Sequence, residues 1–234
     1  MFRISRPSQT VIDTARDIVS QAAAKTDIEK ASAVYSFVQK HLKFGFTARF
    51  DEATPDETLL LGVGHCNPQG ALFASLCSAA GLPARQRFVE LTNGVLRGVL
   101  SPLPPRLLHS YVEVDLQGDA PRTLRVDGYI VDPELFESAL EKLKNEGLDE
   151  GYGMHAKGRS KLNPTDTDCF CQMADESSQV SRDFGAYDVP IELYRSPENF
   201  QRLPFFIRLF FGAFAKSANR RIDTIRGRGG VAKG

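Results

Sequence analysis

Tryptophan is absent from this chain, and cysteine and histidine occur only four times each in 234 residues. Net charge is missing as well, because 29 Lys and Arg balance 29 Asp and Glu. Each shortage narrows the function. Four cysteines spread over such a length do not look like a disulfide framework, so every one is read as a reduced thiol. A formal charge of zero gives no electrostatic case for nucleic acid or another polyanion as partner. No stretch reaches the roughly 18 uninterrupted apolar residues that a membrane span needs. The first residues, Met1 to Pro7, lack an apolar run of signal-peptide length, which sets the expectation of a cytoplasmic protein. With four histidines, candidates for a general base are few.

What is present suits a globular α+β domain, with 42% hydrophobic and 25% charged residues. Helices are expected over 8–24, capped by Ser8, and over 27–43, where Thr26 and Glu29 form a capping box and Gly45 marks the end. Residues 47–58, polar and interrupted by Pro55, read as a loop. A Gly-rich turn at 61–65 then runs into a helix from Cys66 to Ala80. Its apolar residues fall nearly all round, the mark of a buried helix, and Gly81-Leu82-Pro83 closes it. Strands are expected over 84–92, 107–116 and 122–131. In the second, Leu108, Ser110, Val112, Val114 and Leu116 share one face and His109, Tyr111, Glu113 and Asp115 the other. A turn at 118–121 makes the last two strands an antiparallel hairpin. A short helix follows over 134–146, residues 147–200 read as an irregular wrap over the core, and Pro204 starts a final amphipathic helix over 204–226. The organisation is thus one domain over 1–203, the C-terminal helix, and a disordered tail over 227–234.

The chemistry centres on Cys66. It stands where a glycine turn meets a helix N-terminus, and the unsatisfied N–H groups and dipole there favour a thiolate, the form of cysteine that attacks. The same N–H groups suit the oxyanion of an attacked carbonyl, with Asn67, Gln69 and His65 beside them as support. Cys77, in mid-helix, reads as core. A thiolate nucleophile needs a base. His41 ends a helix and suits a dipole partner, His155 falls in the irregular stretch, and His65 neighbours Cys66 on a turn that points the two side chains apart. His109, on a regular strand, is the candidate. A carboxylate must orient the ring: Asp127, across the hairpin from His109, or Asp132, five residues on.

These segments resemble the motifs of the transglutaminase-like superfamily of bacterial type. The run Gly64-His65-Cys66 through Gly81-Leu82-Pro83-Ala84-Arg85 is similar to its nucleophile helix, His109-Ser110-Tyr111-Val112-Glu113 to its histidine strand, and Leu124 to Ile130 to the strand that ends in its aspartate. The resemblance covers roughly residues 28–136. Tyr111 and Thr123 stand where the family usually has Trp. The resemblance implies a papain-like core: N-terminal helices and a buried nucleophile helix packed on an antiparallel sheet. It implies Cys66 as nucleophile, His109 as base and acid, Asp127 as orienter, and acyl transfer or hydrolysis at a protein or peptide amide through a thioester, with no cofactor or metal.

Two other readings have observable consequences. A non-catalytic scaffold on the same fold would leave Cys66 unactivated. A metal site would draw on His65, Cys66, Cys169 and Cys171, although C-x-C is not the zinc-knuckle spacing. The helix over 204–226 carries Phe205, Phe206, Leu209, Phe210 and Phe214 beside Arg208, Lys216, Arg220 and Arg221. It is expected to pack on the domain or join two copies, with a peripheral membrane helix as the lesser alternative.

Overall fold

The computed structural model describes residues 7–117, 121–187, 190–196, 198–200 and 205–227. Two helices open the chain, α1 (Gln9–Gln21) and α2 (Asp27–His41). The Ser8 hydroxyl accepts from the Val11 N–H at the start of α1, and Thr26 and Glu29 cap α2 reciprocally. Helix α2 ends at His41, four residues before Gly45, because Lys43–Phe44 forms a short strand, β1, paired in parallel with β2 (Val63–Gly64).

Between these strands the expected loop is in part a helix, α3 (Pro55–Leu61), preceded by a 3-10 turn at Phe50–Glu52. The reason is local. Thr54 accepts from the Glu57 N–H, the Glu57 carboxylate returns the bond, Pro55 sits at the first helical position, and Gly62 closes the helix at φ 62°.

Helix α4 (Cys66–Ala79) is the centre of the molecule. Leu72, Phe73, Leu76 and Cys77 are fully buried. Burial of each of the three larger side chains contributes roughly 1.5–3 kcal/mol, so the helix position is set by its own packing. Gly70 lets α4 lie close to the sheet: a Cβ there would stand 2.7 Å from Gln86 Nε2. That Gln86 amide donates to the Asn67 carbonyl at 2.8 Å and to the Ser110 hydroxyl at 2.7 Å, pinning the first turn of α4 to two strands.

The sheet has five strands in the order β8-β5-β4-β3-β9. Strands β3 (Ala84–Leu91), β4 (Leu107–Leu116) and β5 (Arg122–Val126) are the expected antiparallel set, although β5 stops at Val126, where Asp127 turns the chain. The expected turn at 118–121 falls mostly outside the described residues. Helix α5 (Pro133–Glu146) follows.

The stretch 147–200 is more regular than expected. It holds the small hairpin of β6 (Glu150–Gly151) and β7 (Met154–His155), then β8 (Asp168–Cys169), parallel to β5, and the single turn α6 (Glu176–Gln179). Strand β9 (Val180–Tyr187) completes the sheet against β3, with α7 (Ile191–Arg195) beyond it. Polar residues in β9 hid it: Ser181, Arg182 and Asp183 are solvent-exposed on an edge strand.

Helix α8 (Phe205–Ile225) packs on the domain through Phe211, Ala215, Ala218, Ile222 and Ile225. The side chains of Phe205, Phe206, Arg208, Leu209 and Phe210 lie outside the described residues, as does the tail from 228. Arg226, just past α8, is buried and makes a two-pronged pair with Asp132, and its Nη2 also donates to the Phe44 carbonyl. No described helix is long and apolar enough to cross a membrane.

Candidate active site

Cys66 is the first residue of α4, and its side chain is buried at 3% exposure. Its sulfur lies 3.6 Å from Asn67 Oδ1 and 4.0 Å from the Leu108 carbonyl, the residue before His109. The N-terminus of a buried helix and the opening of β4 thus meet at this sulfur.

His109 is wholly buried on the face of β4 shared with Tyr111. Its Nε2 lies 2.9 Å from Asp127 Oδ2. With the carboxylate ionised, Nε2 carries the hydrogen, which leaves Nδ1 as the nitrogen free to exchange a proton. Nδ1 is buried and has no oxygen or nitrogen partner. Burial disfavours a charge on the ring. The negative charge on Cys66 and the bond to Asp127 outweigh it and push the imidazole up to about 9.

Asp127 is completely buried and needs more than one histidine to satisfy it. Its two oxygens accept from three successive backbone N–H groups, those of Cys171, Gln172 and Met173, with the Met173 bond at 3.0 Å. The chain is delivered there by β8, because the Asp127 and Gly128 N–H groups both donate to the Cys169 carbonyl. Gly128 is required beside it: a Cβ would fall 2.4 Å from the Tyr35 hydroxyl and 2.6 Å from the Arg159 carbonyl oxygen. Gly128→Ala is therefore expected to lower stability by about 1–3 kcal/mol in urea unfolding, the usual cost of overpacking.

Asp132, the other carboxylate considered for this role, sits elsewhere. It caps α5 by accepting from the Leu135 N–H, accepts from the Phe44 N–H at 3.1 Å, and pairs with Arg226. It braces the fold, and His109 takes Asp127.

The residues named as support divide. Gln69 donates to the carbonyls of Gly64 at 2.6 Å and Ile130 at 3.1 Å, so it staples the glycine turn to the chain after β5. Asn67 donates to Asp51 at 2.7 Å while its oxygen faces the Cys66 sulfur. His65 gives its Nε2 to the same Asp51 oxygen at 2.8 Å, and its ring clusters with those of Phe46 and Phe50. Asp51, which holds both His65 and Asn67, is a neighbour of Cys66's turn that the sequence reading missed. Gln172 and the 171–173 backbone were missed too, since a main-chain donor has no residue-type signature.

Burial alone pushes the Cys77 thiol up, and burial likewise raises Cys169 to about 11. Among the described residues no three His, Cys, Asp or Glu side chains converge as metal ligands. Cys169 faces the Tyr35 hydroxyl at 3.3 Å.

Cys66 opens onto a cavity of about 500 Å³. Its walls come from the chain around β1 and the 3-10 turn (Phe44, Phe46, Phe50), the segment leading into β4 together with its first two residues (Leu96 to Leu108), Gln172 and α8 (Phe211, Phe214).

Residues 12–120 match the family model of the transglutaminase-like superfamily. None of the curated proteins matches the chain. Among solved structures, a candidate cysteine protease from Cytophaga hutchinsonii is 16% identical at a TM-score of 0.41, over 56% of this chain and 41% of its own. A candidate protease from Parabacteroides distasonis is 15% identical at a TM-score of 0.36, over 50% of this chain and 23% of its own. The chain therefore spans less than half the length of either structure. The superfamily match supports cysteine-dependent hydrolase or transferase chemistry at that general level.

Proposed function

We propose that this chain, whose residues 12–120 match the family model of the transglutaminase-like superfamily, is a cysteine acyltransferase or amidase acting on a protein or peptide amide, with Cys66, His109 and Asp127 as its catalytic triad. One observation carries the reading: His109, wholly buried, is held at Nε2 by Asp127 and raised to about 9 by Cys66 as well as Asp127. A structural histidine in such a place would stay neutral, since burial alone opposes its charge.

In this mechanism the resting site holds a thiolate and an imidazolium. The sulfur attacks the amide carbonyl carbon, and the backbone N–H groups at the start of α4 receive the oxyanion. The carbon–nitrogen bond breaks as the imidazolium proton passes to the leaving amine. The thioester remains on Cys66, and the ring is now a neutral base. It takes a proton from an incoming amine or water, which attacks the thioester, and the sulfur leaves as thiolate again. Asp127 keeps Nε2 protonated throughout, so that only Nδ1 exchanges protons.

The test is incubation with a glutamine-containing peptide, with and without a fluorescent primary amine, following ammonia release and amine incorporation by mass spectrometry. Cys66→Ala should abolish both signals. Amine incorporation identifies a transferase, and ammonia release alone identifies an amidase. Product in the Cys66→Ala variant would overturn the assignment.

The raised imidazole also sets the alkaline behaviour. Below about 9 the ring carries the proton that the leaving amine needs, and above it that proton is lost. The value of kcat/KM should therefore fall with an apparent pKa near 9. A profile that stays flat well beyond that pH would remove His109 as the acid.

A further inference from the structure

The cavity beside Cys66 is built for one kind of neighbour. Phe44, Phe46, Phe50, Phe200, Phe211 and Phe214 are on its wall, and Pro102, Pro104 and Pro105 complete one side. Charge on that wall is already spoken for. Arg106 pairs with Glu90 at 3.0 Å and lies over the Phe200 ring at 4.4 Å, and His65 is paired with Asp51. No described carboxylate lines the cavity. A charged substrate group entering it would lose its water without gaining a counter-charge, whereas an aromatic ring or branched chain would exchange water for ring faces.

Position makes this a substrate surface. Cys66 itself is on the wall, and the volume falls within the range of about 300–1,000 Å³ typical of ligand sites. Two of the rings, Phe211 and Phe214, come from α8, beyond the 12–120 stretch that carries the family match. Phe214 remains 39% exposed, a large apolar side chain at the rim.

We propose that this cavity selects amide substrates bearing an aromatic or branched aliphatic peptide side chain next to the bond attacked by Cys66, and that Phe214 and Leu103, which lies on the wall among the prolines, are specificity-determining residues. The inference rests on Cys66 being the nucleophile, but its test does not need turnover. Iodoacetamides alkylate Cys66 by displacement: the sulfur–carbon bond forms, the carbon–iodine bond breaks and iodide leaves. The group on the reagent's nitrogen then probes the cavity. Rates for iodoacetamide and its N-benzyl, N-(4-carboxybenzyl) and N-dodecyl derivatives would be measured at Cys66 by mass spectrometry, each divided by the rate with glutathione.

The normalised N-benzyl rate should exceed that of plain iodoacetamide by at least about tenfold, as burial of a ring predicts. The carboxybenzyl reagent should lose at least about tenfold against the benzyl one. Leu103→Asp and, separately, Phe214→Asp should bring the benzyl preference down to within about twofold. Equal normalised rates for the benzyl and plain reagents, or a preference that survives both substitutions, would overturn the proposal. A dodecyl reagent tenfold faster than the benzyl one would also overturn it, in favour of a fatty acyl chain. Failure of the catalytic reading looks different: every reagent would then react at Cys66 no faster than with glutathione, while the ratios among reagents still report on the cavity.

Discussion

His109→Ala should slow acylation of Cys66 by a factor on the order of 10⁴ or more, and adding Asp127→Asn should cost little further. The non-additivity follows from the arrangement. Asp127 touches the reaction only through Nε2 of the ring, at 2.9 Å. Once the ring is gone, the carboxylate has nothing to orient. Asp127→Asn alone should still lose several orders of magnitude, because an amide in that place no longer dictates which ring nitrogen holds the hydrogen. It must also satisfy three backbone N–H groups with one oxygen. The check is a double-mutant cycle on single-turnover acylation by a p-nitroanilide. If the two losses multiply, the residues act independently and the triad assignment fails.

Asp132→Ala is expected to destabilise the protein by about 3–5 kcal/mol, the cost of leaving one member of a buried ion pair alone. Arg226 is 8% exposed, and it shares Asp132 with the Phe44 N–H and the cap of α5. One carboxylate thus joins the end of α8, β1 and the start of α5. Urea unfolding of Asp132→Ala measures the loss, and Asp132→Asn, which can still cap α5, should recover part of it. A loss below about 1 kcal/mol would mean that water reaches the guanidinium.

These two aspartates show how far the sequence could be read. Both were visible as candidates for one role. What separates them is the partner each meets: for Asp127 three main-chain amides some forty-five residues later, and for Asp132 an arginine ninety-four residues later. Neither partner is marked by spacing. By contrast, the α2 capping box, the buried helix behind Cys66 and the alternation of β4 rest on neighbours within a few residues, and they appear in the structure where the pattern places them. Helix α3 was legible by the same local rule, since Thr54, Pro55 and Glu57 form a start signal, but the polarity of 47–58 obscured it. Tyr111, in place of the family's usual Trp, packs edge-on against Phe170 at 5.4 Å, a contact with the stretch that read as irregular.

That stretch has a consequence for how the chain tolerates changes in length. Three consecutive amides from 171 to 173 converge on one carboxylate, held in step by the pairing of Val126 with Cys169. Lengthening or shortening this span by a single position would slide all three main-chain donors past their acceptor and leave the acid with His109 alone. Before it, 161–166 is tied to the sheet only through the flexible Arg122 side chain, so insertions and deletions among relatives should collect there and stop abruptly at Thr167, whose carbonyl accepts from the Arg125 N–H.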